Sequence, residues 1–121
     1  MRETRCCSIE NRDKLILKKI VLYCQRIADY VARYHGDYAA FQQDPLFQDA
    51  CCMCVVQIGE LVGQLSETVR QKNPTIPWRI IKDTRNFYVH AYGAIDVSSV
   101  WNTLLEDIPA LQNSCEEILS Q

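Results

Sequence analysis

A helical spacing of apolar residues recurs along almost the whole chain, and it limits the fold more than any other feature. From about Ile9 to Tyr34, apolar residues return every three or four positions, and Gly36 follows as a C-terminal cap. This spacing predicts one long amphipathic helix. Its apolar stripe consists of Ile16, Ile20, Cys24, Ile27, Val31 and Tyr34.

Capping residues and prolines mark where the next two helices begin and end. The segment GDYAAFQQ is predicted to be a connection with room for a helical turn. Asp44 and Pro45 then predict the N-cap and first turn of a second long helix, which runs through Leu65 to a stop at KNP. Pro77 opens a third helix, and Gly93 is expected to end it.

A fourth stripe of apolar residues runs from Val97 to Ile118, with Asp96 as its expected N-cap. Pro109 lies inside this stripe and should kink or divide the helix, because proline lacks the backbone N–H. We find no strand pattern or repeat. The chain has 121 residues, 48% of them apolar, with only four glycines and four prolines. The sequence therefore predicts one all-α domain over residues 1–121, an antiparallel bundle of four main helices.

Charge and hydropathy exclude some classes of protein. A formal net charge of −2 excludes a generally basic nucleic-acid binder, although it leaves room for a local basic patch. The N-terminal stretch MRETRCCSIENRDK has no apolar core of the signal-peptide type, and apolar runs such as ACCMCVVQIG are too short to span a bilayer. We therefore expect a cytoplasmic protein with no membrane association.

The chain has seven cysteines, which in a cytoplasmic protein are expected to be reduced thiols. Cys51 and Cys54 have the spacing of a zinc half-site and Cys52 adds a third thiol, but no second Cys/His pair follows. Cys24, Cys54 and Cys115 fall on apolar stripes, where a thiol acts as a small apolar group. We predict no metal site; a thiol-based sensor stays open as a lesser alternative.

The third helix is expected to bury one arc and to present a polar stripe opposite. An arginine, a lysine, an asparagine and a histidine share that stripe, which can also be an ordinary solvated face. The predicted buried arc is Ile80, Ile81, Thr84, Phe87, Tyr88 and Ala91; the polar stripe is Arg79, Lys82, Asn86 and His90, with Asp83 beside it.

Arg85 lies at the edge of this stripe, and a five-residue step places it about 140° from His90 on a regular helix. Either Arg85 reaches around the helix, or the helix is distorted, or another surface completes a site. Gly59 and Gly63, one turn apart on the second helix, are expected to permit close helix packing.

The segment RNFYVHAY resembles the Arg-x4-His-x-Tyr signature of HEPN-domain proteins, particularly the HepT toxins. IGELVGQLSE, IPW and AIDVSSVWNTLLEDIPAL occur in the family's order around it, so the resemblance covers roughly residues 58–111. It implies a HEPN-like helical bundle. It also implies a metal-independent endoribonuclease toxin that needs no cofactor, forms a homodimer, and is paired with an MNT-type nucleotidyltransferase antitoxin.

By position, the resemblance makes Arg85 and His90 the catalytic pair and Asn86 their polar companion. Tyr92 corresponds to the residue that such antitoxins modify with AMP. Arg79 and Lys82 of the polar stripe are the candidates for contacts with RNA. The alternative is a non-catalytic helical module that dimerises and serves only as the substrate of a nucleotidyltransferase.

These residue types suit RNA cleavage, because RNA carries its own nucleophile, the ribose 2′-hydroxyl. Histidine can transfer protons near neutral pH, and an arginine can hold the phosphate. One histidine cannot easily serve as base and acid on opposite sides of one phosphorus. His35 is the only other histidine in the chain, so our hypothesis is that a twofold dimer supplies a second His90.

Overall fold

A computed structural model describes residues 9–121, which are helical with no strand in that range. The predicted all-α, HEPN-like bundle is confirmed. Residues 1–8, with Cys6 and Cys7, lie outside the described part. The helices are α1 (Asn11–Arg33), α2 (Tyr38–Gln43), α3 (Pro45–Gln64), α4 (Glu67–Lys72), α5 (Trp78–His90), α6 (Val97–Asn102) and α7 (Ile108–Ser120).

Helix α3 lies at the centre of the bundle and packs against both α1 and α5, while α7 packs against α1. The two neighbours of α3 run antiparallel to it: Tyr34 at the end of α1 stacks on Phe47 near the start of α3. By length and composition α3 could cross a bilayer. This differs from our expectation that no apolar segment is long enough to do so. Half of its most apolar stretch is buried inside the bundle, as in a core helix.

Several helix boundaries agree with the capping residues in the sequence. After α1, Gly36 has φ +64° and its N–H donates to the carbonyl of Val31 at 2.9 Å. The Asp44 carboxylate accepts the N–H of Leu46 at 3.0 Å at the start of α3. The Asp96 carboxylate caps α6 in the same way. These local signals are strong because each satisfies a backbone group that the helix itself leaves unpaired.

The second long helix is shorter than predicted, because the chain breaks at Leu65 instead of continuing to KNP. Ser66 caps the separate helix α4 by accepting the N–H of Val69 at 3.3 Å. Asp13 of α1, only 2% exposed, accepts the N–H of Ser66 at 3.0 Å and its hydroxyl at 2.7 Å. A partner 53 residues away therefore stabilises this break.

Helix α5 ends earlier than predicted, whereas the predicted division of the fourth helix near Pro109 is confirmed. Helix α5 stops at His90, and Tyr92–Ala94 form a separate 3-10 turn. The fourth helix is divided into α6 and α7 by a π-helical turn, Thr103–Asp107, just before Pro109. The wider turn accommodates a proline ring that would otherwise clash with a carbonyl one turn earlier.

Candidate active site on α5

Arg85, predicted at the edge of the polar stripe, lies where α5 packs against Gly59 of α3. A Cβ built on Gly59 would be 2.2 Å from the Cβ of Arg85, so only glycine fits there. The expected packing role of Gly59 is confirmed. Gly63 has no such role, since its Cβ would be 3.8 Å from the Lys82 side chain, an ordinary contact.

The guanidinium of Arg85 is held by two side chains. Its Nη2 donates to the carboxylate of Glu60 in an ion pair, and its Nη1 donates to Oδ1 of Asn86 at 2.7 Å. Its Nε is buried and has no acceptor among residues 9–121. An unpaired buried donor costs about 1–3 kcal/mol, so the two side-chain partners hold Arg85 in a position that packing alone does not favour.

Asn86 lies between Arg85 and the histidine along α5. Asn86 and His90 are four residues apart on α5, so they are neighbours on one face of the helix. Because Arg85 bonds to Asn86, its guanidinium lies beside a residue one helical turn before His90. The three possibilities that the sequence leaves open for joining Arg85 and His90 therefore remain open. His90 itself is exposed in the last turn.

The predicted buried arc of α5 is wrong for two of its members. Ile80 is 65% exposed and Phe87 is 49% exposed, whereas Tyr88 is buried at 6% together with Trp78. The close contact at Gly59 fixes which side of α5 faces α3. In this orientation part of the predicted apolar arc faces solvent. We call Ile80 and Phe87 the outer ridge. The remaining members of the arc, Ile81, Thr84 and Ala91, are half-buried.

A groove of about 340 Å³ runs beside the outer ridge between α5 and α7. Its floor consists of apolar side chains of three helices, including Val55, Ile81 and Leu111. Phe87 precedes His90 by three residues, so the outer ridge and the histidine are adjacent on the surface.

The two candidates for RNA contacts are placed on the solvent side of α5. Arg79 and Lys82 are both exposed, and the Lys82 side chain extends toward Gly63 on α3. Asp83 is exposed beside them. Two cations thus lie on the same helix as Arg85, one and two turns before it.

Tyr92 lies beyond the end of α5, in the 3-10 turn, and is 44% exposed. Its hydroxyl donates a hydrogen bond to the carboxylate of Asp49 on α3. Partial burial, and then this hydrogen bond, raise the pKa of Tyr92 above its ordinary value. A cavity of about 220 Å³ lies beside the ring, lined by Asp49, Cys52 and Gly93 among others.

Two carboxylates at this surface, Glu60 and Asp49, were not predicted from the sequence. Glu60 stands next to Gly59 in the segment IGELVGQLSE. Its position in a segment that resembles the family, beside a glycine expected to pack, could have indicated a site residue. For Asp49 there was none, because its contact with Tyr92 depends on how α3 and α5 are aligned.

The cysteines of the described residues are core side chains. Burial raises the pKa of the Cys24, Cys51 and Cys115 thiols to about 12 and that of Cys52 to about 11. Thiols of this kind are poor nucleophiles at neutral pH, which counts against the thiol-sensor alternative for these residues. Within residues 9–121, no group of three or more His, Cys, Asp or Glu side chains is placed to hold a metal ion.

Comparisons with known proteins identify the family of this chain. A family described as ribonuclease HepT-like matches residues 20–118. "Putative RNase TTE0752" of Caldanaerobacter subterraneus subsp. tengcongensis is 29% identical over 105 residues, 87% of this chain and 92% of the relative. "Probable ribonuclease HepT" of Thermococcus cleftensis is 31% identical over 87 residues, 64% of this chain and 79% of the relative. No solved structure matches with significance. The chain therefore belongs to the HepT-like family of HEPN-type ribonucleases.

Proposed function

We propose that this ribonuclease is an endoribonuclease toxin that cuts RNA without a metal ion, using Arg85 and His90 as catalytic residues and Asn86 to orient Arg85. The observation that carries the proposal is the Arg85 guanidinium, held by Glu60 and by Asn86, which lies one helical turn before His90. A fixed arginine fork suits a phosphate, because its donors match two phosphate oxygens and its charge persists throughout the reaction.

In this reaction the ribose 2′-oxygen attacks the neighbouring phosphorus and the bond from phosphorus to the 5′-oxygen breaks. Arg85 stabilises the negative charge that develops on the phosphate, and His90 transfers one of the two protons that move. The products are a 2′,3′-cyclic phosphate and a 5′-hydroxyl. Arg79 and Lys82, exposed on the same helix, contact the flanking RNA backbone.

The enzyme acts as a homodimer whose subunits meet at the outer ridge. Two large apolar side chains, Ile80 and Phe87, stand exposed there beside an apolar groove, and such surfaces commonly mark protein interfaces. In a twofold interface the same patch of both subunits meets. Because Phe87 is adjacent to His90, this interface would bring the two active sites close together.

An MNT-type nucleotidyltransferase antitoxin silences the enzyme in the cytoplasm by transferring AMP to Tyr92. The half-exposed position of Tyr92 supports this, since the phenol is within reach of a partner protein. AMP would add bulk and a negative charge near a surface that binds RNA backbone, so it would obstruct and repel the substrate.

Cleavage of RNA in the presence of EDTA, with analysis of the product ends, tests the ribonuclease mechanism. We expect cleavage to continue and to leave 2′,3′-cyclic phosphate ends. Activity that disappears with the chelator and returns with a divalent ion would contradict the metal-free mechanism.

Incubation with an MNT-type nucleotidyltransferase and ATP tests the modification. We expect adenylate-sized mass increases on the wild type but not on Tyr92→Phe, together with loss of cleavage by the modified wild type. A protein that is modified but never cuts RNA would support the alternative, a non-catalytic partner of the transferase. Equal modification of Tyr92→Phe would show that Tyr92 is not the acceptor.

A further inference from the structure

RNA cleavage needs a second proton-transfer group besides His90, and the structure contains a candidate in the same chain. The hypothesis from the sequence assigns this role to His90 of a second subunit. His35 is too far away: Tyr34 stacks on Phe47, and Glu60 lies 13 residues further along α3. Thirteen residues correspond to roughly 20 Å of helix.

We propose that Glu60 is the general base that takes the proton from the ribose 2′-hydroxyl, with His90 of the same chain as the general acid. This assignment rests on the proposed role of Arg85 as the phosphate-binding residue. Glu60 contacts the end of the Arg85 guanidinium, so a phosphate bound by Arg85 lies beside the Glu60 carboxylate. The 2′-hydroxyl is next to that phosphate in RNA.

The positions of Glu60 and His90 suit opposite sides of one phosphorus. Glu60 is level with Arg85, and His90 is five residues further along α5, roughly 7.5 Å by helical rise. The Arg85 guanidinium bonds both to Glu60 and to Asn86, which lies one helical turn before His90. A phosphate held there would have a carboxylate toward one end and an imidazole toward the other.

The proton transfers balance without any further reactant. Glu60 accepts the 2′-hydroxyl proton as the bond from the 2′-oxygen to phosphorus forms. The imidazolium of His90 donates its proton to the 5′-oxygen as the bond from phosphorus to that oxygen breaks. Charged side chains whose contacts place them on the side of α3 that faces α5 include Arg85 and Lys82 of α5 and Asp49 of α3, which accepts a hydrogen bond from Tyr92.

Exposure argues that Glu60 is available for this chemistry. Its side chain is 47% exposed, whereas that of Arg85 is 24% exposed. A carboxylate that served only to hold Arg85 could be fully covered, but this one keeps a surface open to substrate.

Glu60→Gln separates the two roles, because an amide oxygen can still accept a hydrogen bond from Arg85 but cannot take a proton. We expect kcat to fall by about 10²- to 10⁴-fold, while the variant stays folded and still binds RNA. If Glu60 is the base, a fall of kcat/KM at low pH is expected for the wild type and should be absent in this variant. Glu117→Gln, an exposed carboxylate on α7, is the matched control and should behave as wild type.

Two results would overturn the assignment. A Glu60→Gln enzyme as active as wild type would exclude the general-base role, and an impaired variant that keeps the acid-side fall would make Glu60 a positioning residue only. Failure of the proposed function gives a different result, since then the wild type would not form cyclic phosphate ends or His90→Ala would stay fully active.

Discussion

The two sides of α5 contradict the usual pattern of an amphipathic helix. The inward side carries an arginine pressed against Gly59, next to the buried Trp78 and Tyr88. The outward side carries the apolar Ile80 and Phe87 in solvent, beside His90. Burying a charged side chain and exposing large apolar side chains are both unfavourable, unless a binding site needs the charge or a partner covers the apolar groups. We therefore expect a substrate or a partner to contact each side of α5.

Replacing the catalytic side chains should give the largest effect. We expect His90→Ala to lower the rate of RNA cleavage by about 10²- to 10⁴-fold. Because His90 is exposed, the free energy of unfolding should change by less than about 0.5 kcal/mol. Arg85→Lys should also be impaired, since a point charge does not replace the guanidinium fork. Cleavage rates and urea unfolding curves measure these effects. If His90→Ala stays active, His90 on the outward side of α5 is not a catalytic residue.

Replacing the outer ridge tests whether a second subunit covers it. Phe87→Ser should weaken the dimer by about 2–4 kcal/mol over its two copies, which corresponds to a 30- to 1,000-fold higher Kd by the usual conversion. Sedimentation at several concentrations measures this. Leu15→Ser, which changes another exposed apolar residue, on α1, is the control. A wild type that stays monomeric would leave the outer ridge without its proposed partner.

Adding a methyl group on the inward side should separate α3 from α5. Gly59→Ala places a Cβ against that of Arg85, so we expect a loss of about 1–3 kcal/mol in stability and slower cleavage. Gly63→Ala has room for its Cβ and should gain up to about 1 kcal/mol from helix propensity. Thermal unfolding of both variants measures the difference. Equal effects of the two substitutions would show that the contact at Gly59 is not required.

The smallest effect concerns Tyr88 at alkaline pH. Burial raises the pKa of Tyr88 from 10.0 to about 12, so the folded protein holds this proton after the unfolded chain has lost it. The stability that depends on the neutral phenol is complete below about pH 10 and is lost as the pH rises toward 12. From pH 8 to pH 11, wild type should lose about 1 kcal/mol more than Tyr88→Phe. Urea unfolding at both pH values checks this.

The helical periodicity predicted which segments are helical, because burying an amphipathic stripe is a local requirement that the sequence records directly. It could not predict the break at Ser66, because that break depends on Asp13 of another helix. The π turn was only half anticipated: Pro109 indicated a division but not its form.

The site shows the same limit. The residue types of Arg85 and His90 and their resemblance to a known motif could be read in the sequence. Their arrangement could not, because spacing alone treats Phe87 as buried and Arg85 as peripheral. The close contact at Gly59 sets the rotation of α5, and Glu60 acquires its place only through that contact. Geometry between helices decides these points.

The contact of Asp13 with Ser66 also has a consequence for the order in which the chain assembles. It joins residues 53 positions apart, and the entropy lost in closing a loop grows with the logarithm of its length. During synthesis Asp13 leaves the ribosome long before Ser66, so this contact can form only after the whole of α3 has been made.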